Sequence, residues 1–343
     1  MIFPHLLGNE KLKKRLESDI TRGTLTHAYI IEAPYGSGKH TLAREIAASF
    51  SCTGRERGEQ NMPCGVCPSC RKIFSGVSPD VITIGREDGK AQLGVDVIRR
   101  LREDVFFAPN DLDVKTYIIE DAHTMNIQAQ NAFLLTLEEP PEYVVFLLLC
   151  EDAGALLETV RSRAPVIRLS ALPDTDVKNA LAKNADGAKL LRESEAEFDE
   201  TVKLAGGSIG RALDLLDKGK REPLLKSRRD AAEVLRLAVG KRKGREAIFL
   251  IGSFPQKRDE LSDRFDDIEL AARDLLALKK ADAAPLCFFT PSEAHEATEL
   301  AFGYKSETLF GIVEAAERAK SRLLYNANVR LTVCAFAAEC GLI

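Results

Sequence analysis

Along the first half of the chain, five apolar runs recur between amphipathic stretches: HAYIIEA (27–33), PDVITI (79–84), VKTYIIED (114–121), YVVFLLLC (143–150) and APVIRL (164–169). Each is rich in Val, Ile, Leu or Tyr and nearly continuous, without the alternation of a half-exposed strand. Such runs fit strands buried on both faces of a parallel sheet. Between them, VDVIRRLREDVFF (95–107) and NIQAQNAFLLTLEE (126–139) carry helical spacing, and Pro140 and Pro141 stop the second. Strands alternating with helices predict an α/β domain with a five-stranded parallel sheet, ending near Leu169. From Ser170 onward strand-like runs largely disappear. Residues 175–217 read as a few short helices and DKGKREPLLKSRRD (217–230) as a charged junction. Residues 231–343 read as all-helical, with apolar spacing in LFGIVEAAERAKSRLLY (309–325).

A chain of 343 residues has room for two or three domains of roughly 100–200 residues each. Its 48 basic and 52 acidic residues leave a net charge of −4. That balance argues against a nucleic-acid grip over most of the surface and leaves local basic patches open. The longest strongly apolar run, VVFLLLC (144–150), falls short of the about 20 residues that a membrane-spanning helix needs. The N-terminus lacks the basic start and long apolar core of a secretory signal. A cytoplasmic location with reduced thiols is expected, so the eight cysteines need another explanation than disulfides.

Four of them supply it. Cys52, Cys64, Cys67 and Cys70 are spaced C-x11-C-x2-C-x2-C. Thiolates two residues apart can curl around one ion, and four complete a tetrahedral, structural zinc site with no open position for substrate. Cys150, Cys287, Cys334 and Cys340 are scattered in apolar surroundings and read as buried free thiols.

Between the first apolar run and TLAREIAASF lies APYGSGKHT (33–41), in the strand–loop–helix context of a phosphate loop. Gly36, Ser37 and Gly38 let backbone N–H groups turn inward. The helix N-terminus adds positive potential, and Lys39 supplies a full charge for phosphates. Two parts are missing from the usual G-x-x-x-x-G-K-[ST] pattern: Ala33 stands at the first glycine and His40 at the magnesium-binding hydroxyl. Imidazole is a poor substitute on an ion that prefers oxygen. Thr41 is adjacent, but one helical residue turns its side chain by about 100°. The acids that would complete a hydrolytic site are Glu120 and Asp121, at the end of TYIIED, in exchanged order; an ordinary solvated strand end is the alternative. Magnesium-dependent hydrolysis on this chain is therefore expected to be weak or absent, while binding of ATP or ADP stays open.

The ordered set of motifs resembles the AAA+ clamp-loader subunits of bacterial DNA polymerase III, the delta-prime group most of all. The resemblance rests on HAYIIEAPYGSGKHTLA with the cysteine module directly after its helix, VKTYIIEDAHTMNIQAQNAFLLTLEEPP, TVRSRAPVIRL, GGSIGRALDLL (206–216) and NANVRL (326–331). It implies an AAA+ nucleotide-binding-type domain over 1–169 with a zinc module at about 52–75, a helical lid over 170–220 and an all-α collar over 221–343. It also implies partners: delta and gamma or tau subunits in a hetero-pentameric ring, the β sliding clamp and primed DNA. A gamma- or tau-like ATP-hydrolysing subunit is the alternative.

The same resemblance assigns roles. Arg163, in TVRSRAP, would be an arginine finger offered to the nucleotide of a neighbouring subunit, which needs no active site on its own chain; a surface pair with Glu158 or another acid is the plain alternative. Arg211 would be the second sensor, facing a nucleotide bound in cis, or else a lid–core ion pair. Ala164 replaces the cysteine of the family's Ser-Arg-Cys motif. Cys150 falls near a usual polar sensor position, and Leu135 stands where relatives often carry lysine.

Overall fold

A computed structural model describes residues 3–54, 63–87, 90, 92–240, 244–281, 286–290 and 293–343. The chain divides into two compact units, residues 1–180 with 207–211, and residues 181–206 with 212–343.

The first unit is built on five parallel strands, β1 (Ala28–Glu32), β2 (Val81–Ile84), β3 (Lys115–Ile119), β4 (Val144–Cys150) and β5 (Val166–Arg168), in the order β2-β3-β4-β1-β5. This is the α/β sheet that the apolar runs predict. Side chains alternate between its faces. In β4, Val145, Leu147 and Leu149 join one buried cluster, while Phe146, Leu148 and Cys150 join the other. Both faces are covered, so every residue of β4 is buried, which is why the sequence shows a continuous run. Helices α1 (Glu10–Arg22), α2 (Lys39–Phe50) and α3 (Pro68–Phe74) contribute to the first cluster. Helices α4 (Val95–Asp104), α5 (Ile127–Glu138) and α6 (Glu158–Arg161) contribute to the second.

Local chemistry sets the ends of these helices. The Asn126 carboxamide caps α5 by accepting the Ala129 N–H at 2.8 Å. Pro140 cannot continue that helix. Pro68 stands at the start of α3, with Cys67 as N-cap.

Glu45 of α2 is fully buried. One carboxylate oxygen accepts the His5 N–H at 2.6 Å, and Oε2 has no hydrogen-bond partner. Burial pushes its carboxyl up to about 7, against the opposing pull of the His5 and Leu6 N–H groups and the Lys13 charge. The folded chain therefore holds this proton more tightly than the unfolded chain. The associated stability is present below about 4.5 and is lost as pH rises toward about 7. Urea unfolding of the wild type against Glu45→Gln should show the wild type losing on the order of 2 kcal/mol relative to the variant between those limits. Parallel pH curves would refute the assignment.

Helix α7 (Asp174–Lys183) crosses from the first unit to the second. The second unit continues with α8 (Ala185–Glu193), α9 (Glu195–Ala205), α10 (Ile209–Asp214, from residue 212), α11 (Lys218–Val239), α12 (Gly244–Gly252), α13 (Arg258–Lys280), α14 (Ala294–Gly303), α15 (Ser306–Leu324) and α16 (Val329–Glu339). Among its described residues there is no strand. The buried Arg264 of α13 donates to Ser227 Oγ at 3.0 Å and pairs with Asp230. Buried Asp274 accepts the N–H groups of Cys287, Phe288 and Phe289.

The stretch 217–230 corrects the sequence reading. Instead of a junction it is the first half of α11, capped by Asp217, whose Oδ1 accepts the Gly219 N–H at 2.8 Å. Its charges lie mostly on the exposed side, while Ser227 and Arg228 are buried and lead into Ala231, Val234 and Leu235 of the core. A helix of which one narrow stripe is buried reads as polar until its apolar partners are known.

Candidate functional site

The parallel strands put the carboxyl ends of β3, β4, β1 and β5 side by side around the point where the strand order reverses, the usual place for a ligand crevice in an open α/β sheet. The phosphate-loop sequence leaves β1 there, Glu120 and Asp121 follow β3, Glu151 follows β4, and β5 flanks β1 on its other side.

Gly36 and Gly38 both adopt left-handed backbone, with φ of 70° and 93°, a region that glycine enters without steric cost. Lys39 starts α2. Its Nζ donates to the carbonyls of Ala33 at 2.6 Å and Pro34 at 3.0 Å, and Glu151 Oε1 lies 4.0 Å away. Burial lowers its pKa, while Glu151, Asp121 and Cys150 act in the opposite direction. The loop thus ties its own lysine inward.

A second contact closes over the same loop. Gly210 N donates to Gly36 O at 3.0 Å, and Ser208 Oγ donates to Tyr35 O at 2.9 Å. The backbones meet so closely that a Cβ on Gly210 would lie 2.6 Å from Gly36 Cα. Arg211 sits at this contact through its main chain, its N–H donating to Ser208 Oγ at 3.1 Å.

The remaining predicted residues of the loop end are also brought together. His40 is half-exposed, with Nδ1 3.5 Å from Glu120 Oε1. Asp121 takes a positive φ of 47° and pairs with Arg86 at 3.2 Å. Thr41 lies one position further along α2. The exchanged acids are thus occupied by an imidazole and a guanidinium. Glu151 and Arg86 carry no motif, and sequence spacing could not have found them; Ser208 lies in GGSIGRALDLL (206–216), of which only Arg211 was singled out. Cys150 is buried at the end of β4, and burial pushes its thiol up to about 12. It stays a protonated, unreactive thiol at the strand end.

Arg163 lies on a different part of the unit, just after α6. Its Nη2 pairs with Glu138 Oε1 at 2.5 Å, and its Nη1 donates to Thr159 O at 2.9 Å. The acid partner is therefore Glu138 and not Glu158. Ala164 is fully buried and anchors the turn.

The cysteine quartet converges. The sulfurs of Cys52, Cys64, Cys67 and Cys70 all lie within 4.8 Å of one another, and all four are free thiols. Tetrahedral zinc with Zn–S bonds of about 2.3 Å would need sulfurs about 3.8 Å apart, a small contraction from this arrangement. Backbone N–H groups already point at the sulfurs: Cys64 N lies 3.3 Å from Cys52 Sγ, and Cys70 N lies 3.4 Å from Cys67 Sγ. The Cys67 thiol is pulled down to about 6, although burial opposes this, because N–H groups of Cys70 and Thr53 face it. A four-thiolate metal site fits. Residues 55–62 between Cys52 and Cys64 lie outside the described residues. Of the scattered cysteines, Cys150 and Cys340 are buried, while Cys287 and Cys334 are exposed. The expectation of burial fails for that pair, since α16 turns Cys334 to the surface and Cys287 precedes the anchored Phe288.

Residues 8–173 match the family model described as "DNA polymerase III, delta subunit". The chain is also similar to the DNA polymerase III subunit tau of Bacillus subtilis, 33% identical over 63% of this chain and 37% of that protein. A DNA polymerase III subunit gamma of Buchnera aphidicola is 31% identical over 63% of this chain and 57% of that protein. The chain thus spans about two fifths to three fifths of the length of these relatives. Among solved structures, a DNA polymerase III gamma subunit-related protein from Thermotoga maritima matches over 96% of this chain and 98% of its own at 18% identity, with a TM-score of 0.41. No described helix is long and apolar enough to cross a membrane.

Proposed function

We propose that this chain is a clamp-loader subunit of DNA polymerase III of the delta-prime type. In this reading it is a scaffold that donates Arg163 to the nucleotide site of a neighbouring subunit and hydrolyses little ATP itself. The observation that carries the reading is the state of its own phosphate loop. Lys39 is bonded to loop carbonyls, His40 and Glu120 face each other, and the Gly210 backbone packs on Gly36. Hydrolysis needs a magnesium-binding hydroxyl, an acid on the metal and a positioned water, and here the residues at those positions are of the wrong type or engaged. The domain plan is an AAA+ unit over 1–169, a lid over 170–220 and a collar over 221–343. It would serve assembly into a hetero-pentameric ring with delta and gamma or tau, acting in the cytoplasm on the β clamp and primed DNA.

A gamma- or tau-like ATPase is the second reading, favoured by the names of the similar proteins above. Purified chain with ATP and magnesium distinguishes the two. We expect turnover at background for the wild type and for His40→Thr, because Asp121 is held by Arg86 and the acids are exchanged. Brisk turnover by the isolated wild type would move the assignment to the ATPase class.

A further inference from the structure

We infer that Glu138 is a positioning residue for Arg163, holding its guanidinium preformed at the surface. This rests on the reading of Arg163 as a donor to a neighbouring nucleotide site.

The support is the way Arg163 is mounted. Its turn is locked to α5 by buried Gln130, whose Oε1 accepts the Leu157 N–H at 2.7 Å and whose Nε2 donates to Met125 O at 3.0 Å. Val160 and Ala164, on either side of the arginine, are fully buried. The backbone is therefore fixed, and the long side chain is what remains to be ordered. Arginine is among the side chains with the most rotamer freedom, so an unsupported one would sample many directions. Two anchors on different elements remove that freedom: Thr159 O takes Nη1 at 2.9 Å, and the Glu138 carboxylate at the end of α5 takes Nη2 at 2.5 Å.

The anchoring does not use up the donors. A guanidinium has five N–H groups. Three of them go to Glu138, Thr159 and, at 3.4 Å, Ser162 Oγ. Nε–H and the second N–H on Nη2 are left for an acceptor from outside, on a side chain that remains 35% exposed. Glu138 itself is 44% exposed, so its carboxylate is solvated and opposes a nearby phosphate only weakly. That favours support over competition.

The test uses the full chain reconstituted with its motor subunits, β clamp and primed DNA, reading kcat and KM for ATP. Glu138→Ala should lower kcat about tenfold with KM little changed. Glu138→Gln, which keeps an acceptor, should stay within about threefold of wild type. Glu138→Ala combined with Arg163→Ala should be no worse than Arg163→Ala alone. A Glu138→Ala assembly as fast as wild type, or faster, overturns the inference, the latter making Glu138 a brake. Additive losses in the double variant would make its role merely structural and also overturn it. If Arg163→Ala itself has no effect, the parent reading fails instead, and the two failures are thereby told apart.

Discussion

Arg163→Ala should lower ATP turnover at the neighbouring subunit's site by about 10³-fold or more, the range found for arginine fingers elsewhere, while this chain's own stability changes by less than about 1 kcal/mol. The contrast follows from where the side chain sits. Its partners are one half-exposed carboxylate, a backbone carbonyl and the Ser162 hydroxyl, so its loss leaves no uncompensated charge in the core. Its full positive charge, by contrast, cannot be replaced by water at a transferring phosphoryl group. The measurement is single-turnover hydrolysis by the reconstituted assembly, set beside thermal melting of the lone chain. A variant assembly that hydrolyses ATP at the wild-type rate would remove Arg163 from the chemistry.

Stripping metal from the cysteine quartet should have the largest effect on stability. The module packs into the sheet's first buried cluster, where Cys67, Cys70 and Ile73 meet residues of α2. Structural zinc in finger peptides contributes apparent binding energies of about 10–16 kcal/mol. A domain with its own core draws on only part of that, and several kcal/mol is the reasonable expectation. Cys70→Ser, or a strong chelator with mild heating, should lower the melting temperature of the first unit by on the order of 10 °C. About one zinc per chain should be released to a chromogenic chelator, since four thiolates make one site. A chain that holds no metal by elemental analysis, and melts unchanged after Cys70→Ser, would make the quartet four unrelated thiols.

Much of the first unit was legible because the constraint on it is local. A strand buried on both faces is mostly apolar; β4 is so at every position, while β1 departs only at Glu32 and β3 only at Lys115 and Thr116. The cysteine spacing was legible for the same reason, since ligands two residues apart need little help from the rest of the chain. The charged start of α11 was misread because its core-facing residues, Ser227 and Arg228, look polar out of context. Arg228 is buried over the Phe288 ring, 4.1 Å from its centroid, a pairing across 60 positions that no window of sequence displays.

The amino-acid order by itself showed the apolar runs that become the strands, the glycines of the phosphate loop and four cysteines at metal-ligand spacing. Each signal is carried by a short stretch of chain, apart from Cys52, which lies 12 positions before Cys64. Tertiary structure alone decided that Glu138 and not Glu158 meets Arg163, that Arg86 holds Asp121, and that Ser208 and Gly210 close over Tyr35 and Gly36. Those pairs lie 25, 35 and more than 170 positions apart. Charge and small size permit many such partners, and only the folded geometry selects one.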